Sequence, residues 1–332
     1  MILFCRQILY LPDIKNVANK GSLTVNSINP FPGNIKKIAI LSPAGIPDPE
    51  KIQQAVDWFA SHHIEAVCGK SVCQRGEEDY FAADREKRAA DFNAALEDPQ
   101  IDMILCARGG YGSASILPLI RWDLLRQRNM PVMGFSDITA LHLAMLRHGA
   151  GIPVTGQMAA ALMKWIQDPQ TVESTRKVLA RIFEQSREVQ QISLTRVLPS
   201  GGTVPQIPQT FSGPLIPANL SILASLCGSD YLPDFQNAIL VVEDVGELPR
   251  KLDRHLTQLE LCGILDRVQA LVFADFTQCG TAEEMDRIYR RFAEQHPGTV
   301  FWRGLSFGHE LPSLCFQAGC SAVIDADGII CF

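Results

Sequence analysis

Three side chains of the sequence have the types that together perform nucleophilic catalysis: Ser136, Glu243 and His309. A serine hydroxyl is a weak nucleophile at neutral pH, so it needs a base within hydrogen-bond reach, and histidine is the usual base. The imidazole in turn needs an acceptor on its other nitrogen, which fixes its tautomer and stabilises the imidazolium. The chain order serine, acid, histidine is one that hydrolases use. We therefore predict Ser136 as the nucleophile, His309 as its base and Glu243 as the acid that orients His309.

A glycine-rich segment, RGGYGS at 108–113, follows an apolar run and adds a possible oxyanion site. Glycines let backbone N–H groups approach a developing oxyanion, because no Cβ stands in the way. We predict one donor from Gly109 or Gly110 and a second from the N–H of Asp137, the residue after the serine. Taken alone, the glycines also fit a tight turn. The segment matches neither nucleotide-binding glycine pattern, so a phosphate cradle is not expected.

Each candidate residue also has a purely structural interpretation. Ser136 could cap the helix that follows it, and the elbow pattern G-x-S-x-G is half met, because Gly134 is present but Ile138 replaces the second glycine. Glu243 could be a solvated strand end, and His309 a loop histidine. The combination of the residues, rather than any one of them, favours catalysis.

The elements that must position these residues begin with an alternation of strands and helices. Strands are predicted at 38–41, 64–67 and 101–106, with helices after the first strand and at 84–96. A further strand enters Ser136, and a helix leaves it toward Gly149. This alternation predicts a doubly wound parallel α/β domain, in which ligands bind beyond the carboxyl ends of the strands. Both Ser136 and the glycine-rich segment follow strands at that edge.

The second half of the chain has a different pattern. Helices are predicted at 171–184, 219–226, 252–261 and 282–295, strands at 238–242 and 271–274, and a terminal hairpin that turns at Asp327-Gly328. Residues 190–214 are rich in Pro, Gly, Gln and Thr, which indicates a boundary. The predicted organisation is an extension (1–36), a nucleophile-bearing α/β domain (37–160), a linker region (161–210) and a smaller mixed α/β domain (211–332) that carries Glu243 and His309.

Composition excludes several classes of partner. The net charge of −6 and the lack of a Lys/Arg cluster give no reason to expect nucleic acid or an anionic membrane as partner. The ten cysteines include no C-x-x-C pair, and no secretory signal or membrane-spanning run is recognised, which together predict a cytoplasmic protein. His309-Glu310 lacks a second histidine at helical spacing, and His62-His63 lacks a ligand set. We therefore expect neither a metal nor another cofactor.

Five spaced motifs follow one another from about Lys37 to the end of the chain. They are IAILSPAG (38–45), ARGGYGS (107–113), GFSDITAL (134–141), VVEDVGELPRKLDRHLTQL (241–259) and SFGHE (306–310). In this order they resemble the L,D-carboxypeptidases of serine peptidase family S66, the murein tetrapeptide carboxypeptidases. The resemblance implies that Ser136 is the nucleophile, Glu243 the triad glutamate and His309 the base.

The resemblance also implies a fold and a reaction. The family pairs an N-terminal α/β domain with a smaller mixed domain, places the active site between them and is usually homodimeric. The implied reaction is release of the terminal D-alanine from murein tetrapeptides in the cytoplasm during cell-wall recycling. Arg108, Tyr111 and Asn219 are predicted to contact the substrate, Arg108 through the terminal carboxylate or else as a support of its own loop. One departure is that the family's G-G-N-L segment keeps only Asn219 and Leu220 here.

Two other functions remain open from the sequence. The microcin-immunity branch of the same family cleaves a peptidyl or aminoacyl nucleotide and needs an aromatic platform for the base, for which Trp165 is the nominated tryptophan. The chain could also be a ligand-binding module without turnover, since fold does not fix function. The intact serine, glutamate and histidine argue against that third reading.

Overall fold

The computed structural model describes residues 29–76, 78–199 and 210–332. Most of the predicted extension 1–36 and part of the predicted linker region 161–210 lie outside these ranges. Within them, ten α-helices are present: α1 Pro49–Ser61, α2 Arg85–Glu97, α3 Ser113–Ile116, α4 Trp122–Arg128, α5 Thr139–His148, α6 Leu162–Trp165, α7 Pro169–Glu184, α8 Leu220–Ser225, α9 Pro249–Leu261 and α10 Ala282–Gln295. Short 3₁₀ segments cover Leu117–Leu119, Ser136–Ile138 and Ala159–Ala161.

The same ranges contain fourteen strands, which form two sheets. They are β1 Lys37–Leu41, β2 Glu65–Cys68, β3 Met103–Cys106, β4 Pro131–Gly134, β5 Ile152–Thr155, β6 Gln191–Ser193, β7 Thr195–Arg196, β8 Phe211–Asn219, β9 Ile239–Val245, β10 Ala270–Thr277, β11 Val300–Arg303, β12 Phe316–Gln317, β13 Ser321–Ile324 and β14 Ile329–Cys331. The protein therefore has a mixed α/β fold.

The first sheet has the strand order β12-β5-β4-β3-β1-β2. Strands β1 to β5 are parallel, and β12 joins the edge antiparallel to β5. Because the strands are parallel, the loops after β1, β3 and β4 emerge at one edge. Two of these loops touch, since the Gly45 N–H donates to the Gly109 carbonyl at 3.1 Å.

Both faces of the first sheet are buried. Along β3, Met103 and Leu105 belong to one apolar cluster, while Ile104 and Cys106 belong to the other. This alternation follows from the two-residue period of a strand, and its continuous apolar run is typical of a parallel strand covered by helices on both sides. The alternation of strands and helices predicted for residues 37–149 is thus confirmed, with element ends shifted by a few residues.

The second sheet has the order β6-β14-β13-β8-β9-β10-β11-β7. Its four central strands, β8 to β11, are parallel, and the outer strands are antiparallel to their neighbours. In the register of β8 and β9, Asn219 lies directly opposite Glu243. The predicted terminal hairpin is confirmed as β13 and β14, with Gly328 at a φ of 78°.

The two sheets share one apolar core. A single buried cluster contains Val132 and Leu141 of the first half together with Leu215 and Val241 of the second. After β11 the chain returns to the first sheet as β12 before it re-enters the second as β13. The two halves of the chain therefore pack against each other through one continuous apolar cluster.

Several elements were not predicted from the sequence. Strand β8 begins inside the segment 190–214, and its Gly213, Pro214 and Pro217 hide the strand pattern, because both residue types are uncommon inside strands. Gly213 is needed there, since a Cβ at this position would lie 1.9 Å from the Asn237 carbonyl oxygen. Strands β5 and β11, of four residues each, were not predicted either.

Candidate active site

Ser136 lies at a strained turn between β4 and α5. Its φ is +61°, a left-handed value that few residues other than glycine adopt. The N-cap residues of the 3₁₀ segment and of α5 are Phe135 and Ile138, and the Ser136 side chain makes no capping hydrogen bond to either element. The interpretation of Ser136 as a simple helix cap is therefore wrong, and the turn has the strained geometry of a nucleophile elbow.

The residue that breaks the elbow pattern fits because of Gly134. A Cβ on Gly134 would lie 3.0 Å from Cγ1 and 3.1 Å from Cγ2 of Ile138, and 3.1 Å from Cβ of Cys106. Ile138 is fully buried, so its side chain fills the space that Gly134 leaves open. The first glycine of the pattern thus makes room for a large residue where a second glycine was expected.

Ser136, His309 and Glu243 form one hydrogen-bonded chain. Nε2 of His309 lies 3.1 Å from Oγ of Ser136, and Nδ1 of His309 lies 2.9 Å from Oε2 of Glu243. Both distances are within normal hydrogen-bond range. The imidazole therefore joins a serine that follows β4 of the first sheet to a glutamate in β9 of the second.

Glu243 is completely buried, and its second oxygen is also satisfied. Nδ2 of Asn219 donates to Oε1 of Glu243 at 3.0 Å, as the register of β8 and β9 requires. Burial raises the pKa of Glu243, whereas the hydrogen bond to His309 opposes that rise. The neighbouring Asp244 accepts from the N–H and hydroxyl of Ser221 at 2.9 and 2.7 Å, which fixes the start of α8.

The loop that carries His309 is anchored on both halves of the molecule. The Phe307 carbonyl accepts from the Asp275 N–H of β10 at 3.0 Å. The Ser313 hydroxyl donates to the Gly308 carbonyl at 3.1 Å, and the Ser313 N–H donates to Oγ1 of Thr171 in α7 at 2.9 Å. These contacts hold His309 in a loop that has no regular structure of its own.

Gly109 allows the glycine-rich loop to reach the nucleophile. A Cβ on Gly109 would lie 2.9 Å from Cβ and 3.1 Å from Oγ of Ser136, and 3.4 Å from the Asp137 nitrogen. Across the described ranges, the N–H groups of Gly109, Gly110 and Asp137 donate to no protein acceptor. Backbone donors beside a serine hydroxyl are what an oxyanion site requires.

The loop is braced from beneath by buried polar groups. The Ser113 N–H donates to Oδ2 of Asp137 at 2.8 Å, and Nη1 of Arg88 donates to the Gly112 carbonyl at 2.9 Å. Asp137 is 3% exposed, and burial raises its pKa against the opposing effect of these donors and of Arg88. The Asp137 side chain is therefore structural, while its N–H stays predicted as an oxyanion donor.

The three predicted substrate contacts have different surroundings. Tyr111 is 60% exposed, and Arg108 is exposed while it donates through Nη1 to the carbonyl of Ile46, in the loop after β1, at 3.1 Å. Asn219 is 4% exposed, with Nδ2 on Glu243 and Oδ1 accepting from the Ile222 N–H at 3.1 Å. Asn219 thus holds Glu243 and caps α8, and its contact with the substrate stays a prediction.

Asp275 is a carboxylate beside the site that was not predicted. It lies at a bulge of β10, close to the loop of His309, because a Cβ added to Gly308 would lie 3.0 Å from the Cβ of Asp275. Burial, followed by the charges of Glu243 and Glu310, raises the pKa of Asp275 to about 6. The signal in the sequence was an acid at the end of an apolar strand, the same pattern that identified Glu243.

The described residues hold neither a cluster of metal ligands nor an exposed ring at Trp165, the nominated aromatic platform. In the described part of the chain, no three His, Cys, Asp or Glu side chains gather as metal ligands. Trp165 is fully buried, donates to the Met158 carbonyl at 3.3 Å and packs near Phe31. The nomination of Trp165 as a stacking surface is therefore wrong, because neither face of its ring reaches solvent.

Family models match both halves of the chain. The model described as LD-carboxypeptidase N-terminal domain, of the S66 peptidases, matches residues 38–156, and the model of the LD-carboxypeptidase C-terminal domain matches residues 212–324. The first match contains Ser136 and the glycine-rich loop. The second contains Glu243 and His309.

Individual relatives agree with these matches. A putative carboxypeptidase of Streptomyces coelicolor is 33% identical over 88% of this chain and 91% of its own length. The murein tetrapeptide carboxypeptidase of Pseudomonas aeruginosa is 28% identical over 88% of this chain and 94% of its own.

Solved structures show the same fold. The muramoyltetrapeptide carboxypeptidase of Oxalobacter formigenes superposes with a TM-score of 0.73 at 23% identity, covering 89% of this chain and 97% of that one. The microcin-immunity protein MccF in complex with glutamyl sulfamoyl guanosine gives 0.74 at 20% identity, covering 90% and 95%. At such identities the likeness establishes the fold alone. With both domain models matched in order and a relative at 33% identity over nearly its whole length, the chain belongs to the LD-carboxypeptidase family of S66 peptidases.

Proposed function

We propose that the protein is a serine L,D-carboxypeptidase that releases the terminal D-alanine from murein tetrapeptides. The observation that carries the proposal is the hydrogen-bonded chain from Ser136 through His309 to buried Glu243. The name of the Pseudomonas aeruginosa relative supports the choice of substrate.

In the proposed reaction, Oγ of Ser136 attacks the carbonyl carbon of the L-residue while Nε2 of His309 takes the hydroxyl proton. The oxyanion is held by the N–H of Asp137 and that of Gly109 or Gly110. His309 then gives the proton to the leaving nitrogen of D-alanine, and an acyl-enzyme remains on Ser136. Water, deprotonated by His309, hydrolyses this ester, while Glu243 stabilises the imidazolium at each step.

The proposed setting is the cytoplasm, during cell-wall recycling, with the enzyme as a homodimer that works without metal or cofactor. The described residues contain no helix long and apolar enough to cross a bilayer. The donor set of the site is a serine, a histidine and a buried carboxylate already bound to one another, which suits acyl transfer without an added group.

Cleavage of a nucleotide conjugate is the alternative within the family, and a module without turnover is the alternative outside it. The burial of Trp165 removes the platform nominated for the first alternative. The intact Ser136–His309–Glu243 chain argues against the second.

The test is release of free D-alanine from a murein tetrapeptide, with an L-alanine-terminated tetrapeptide and an aminoacyl sulfamoyl adenosine as competing substrates. We expect release from the first substrate alone, unchanged by a chelator. No release between pH 6 and 9, or turnover of the nucleotide conjugate alone, would refute the proposal. Loss of activity with the chelator would refute its metal-free mechanism.

A further inference from the structure

Three aromatic rings stand together at the rim of the candidate site, and two of them are open to solvent. Tyr80 is 52% exposed and Tyr111 is 60% exposed. The Phe81 ring stacks on Tyr111 with centroids 5.4 Å apart and planes inclined by 24°. The Tyr80 ring is 4.5 Å from Phe81 and 5.7 Å from Tyr111. We call Tyr80, Phe81 and Tyr111 the aromatic rim.

The aromatic rim packs on a buried guanidinium beneath it. The guanidinium of Arg88, which is 2% exposed, lies 4.9 Å from the centre of the Phe81 ring and donates to the Gly112 carbonyl. A Cβ on Gly112 would lie 2.8 Å from both Arg88 and Phe81, so this glycine lets the loop close on them. A large apolar surface that is fixed and yet uncovered is typical of a binding site.

The aromatic rim adjoins the nucleophile. Tyr111 follows Gly109 by two residues, a span of at most about 7 Å, and Gly109 packs against Ser136. Tyr80 is tied to the same place, because a Cβ on Gly45 would touch both the Tyr80 and Gly109 carbonyl oxygens, at 3.4 and 2.9 Å. A substrate bound at Ser136 therefore reaches the rim with a group a few residues from the scissile bond.

The chemistry of the proposed substrate decides which group this is. The leaving D-alanine has no ring, so a ring can reach the rim from the acyl side alone. Three peptide residues on that side span about 10 Å when extended, and in a muropeptide they end on a pyranose amino sugar. Tyrosine faces pack against the C–H face of such a ring, and their hydroxyls can bond to its polar edge.

From this placement we infer that the aromatic rim is a sugar subsite, at which Tyr80 and Tyr111 bind the pyranose carrier of a muropeptide whose tetrapeptide lies at Ser136. The inference rests on the proposed function. It predicts that the sugar lowers KM and leaves kcat nearly unchanged, because the rim touches no reacting atom.

The experiment compares kcat/KM for D-alanine release from a free tetrapeptide and from its N-acetylmuramoyl form. For the wild type we expect the sugar-bearing substrate to be better by about tenfold, through KM. In Tyr80→Ala and Tyr111→Ala this ratio should fall to about one. Tyr111→Phe, which keeps the ring and the packing on Phe81, should retain most of the ratio.

The matched control is Leu261→Ala, which removes another exposed apolar side chain, 79% accessible and outside the site. It should leave the ratio at the wild-type value. The sugar subsite would be overturned if the wild type cleaved both substrates with equal kcat/KM, or if both alanine variants kept the wild-type preference for the sugar-bearing substrate. Neither result would contradict D-alanine release itself. Inhibition by AMP that Tyr111→Ala relieves, with a ratio near one, would assign the rim to a nucleotide instead. No turnover of either substrate would refute the proposed function itself.

Discussion

At the residue scale, the site depends on which hydrogen-bond partners each of its polar side chains has. The sequence identified Ser136, Glu243 and His309 by type and motif, and their side chains do meet. It did not reveal the contact between Asn219 and Glu243, because nothing in one sequence shows that β8 and β9 pair in a register that sets these two residues opposite each other. Contacts across a sheet depend on register, and register is decided by packing that spans the whole chain.

Asn219→Asp tests the surroundings of Glu243. The new carboxylate would stand beside Glu243 and Asp244, so like charge should raise the pKa of Glu243 further and favour the imidazolium of His309. We expect the acid limb of the pH profile of kcat/KM to move to higher pH by about one unit. Ser225→Ala, which removes an exposed hydroxyl of the same helix α8, should leave the limb in place. If the acid limb of Asn219→Asp stayed at the wild-type pH, the proposed influence of residue 219 on Glu243 and His309 would be contradicted.

Asp275→Asn tests the raised pKa of Asp275 through stability. A folded pKa of about 6, above the unfolded value, means that the folded state binds this proton more tightly. The wild type should therefore lose stability as pH rises from about 4 to 6, and the asparagine variant should not. We expect the variant to be more stable at pH 7.5 by about 1 kcal/mol, after allowance for partial exposure, and equal to the wild type near pH 3.5. Urea unfolding at the two pH values measures this, and equal stability at pH 7.5 would refute it.

At the element scale, the turn from β4 into α5 is the device that presents the nucleophile. Apolar periodicity predicted the strand and the helix on either side of the turn, but not the strained backbone of Ser136 between them. Ser136 has a positive φ, and Gly134 and Ile138 on either side of it are closely packed together, a side-chain fit that no local propensity encodes.

Gly134→Ala tests this fit. The added Cβ would press on Ile138 and Cys106, and we expect a loss of about 1 to 3 kcal/mol in the free energy of unfolding together with at least a tenfold lower kcat. The double variant Gly134→Ala/Ile138→Ala should recover part of the kcat. Gly298→Ala adds a Cβ that meets nothing within 4 Å, so it should be near neutral in both measurements. An active and stable Gly134→Ala protein would refute the packing explanation.

At the scale of the whole molecule, the active residues are assembled by contact between the two sheets. The Asn219 N–H donates to Oγ1 of Thr139 at 3.0 Å, and one buried cluster runs through both halves. The sequence predicted strands and helices in each half. It did not predict this shared core or the return of β12 to the first sheet, because both depend on contacts between residues far apart along the chain.

Thr139→Val tests the join between the halves. The change keeps the side-chain shape and leaves the buried Asn219 N–H without its acceptor, which costs about 1 to 3 kcal/mol of unfolding free energy. Because the core is shared, we expect unfolding to stay a single transition, with both fluorescence and circular dichroism shifted together. Thr257→Val, in α9 away from the join, should change stability less. Two separate transitions would contradict a single packed body.

The most direct test of the central claim is D-alanine release by Ser136→Ala, measured beside wild type with matched circular dichroism spectra. If Oγ of Ser136 is the nucleophile that His309 activates, kcat should fall by about 10⁴-fold or more, since triad members act as a unit. His309→Ala should lose about as much, and the double variant little more. A Ser136→Ala protein that keeps kcat within tenfold of wild type would contradict the account.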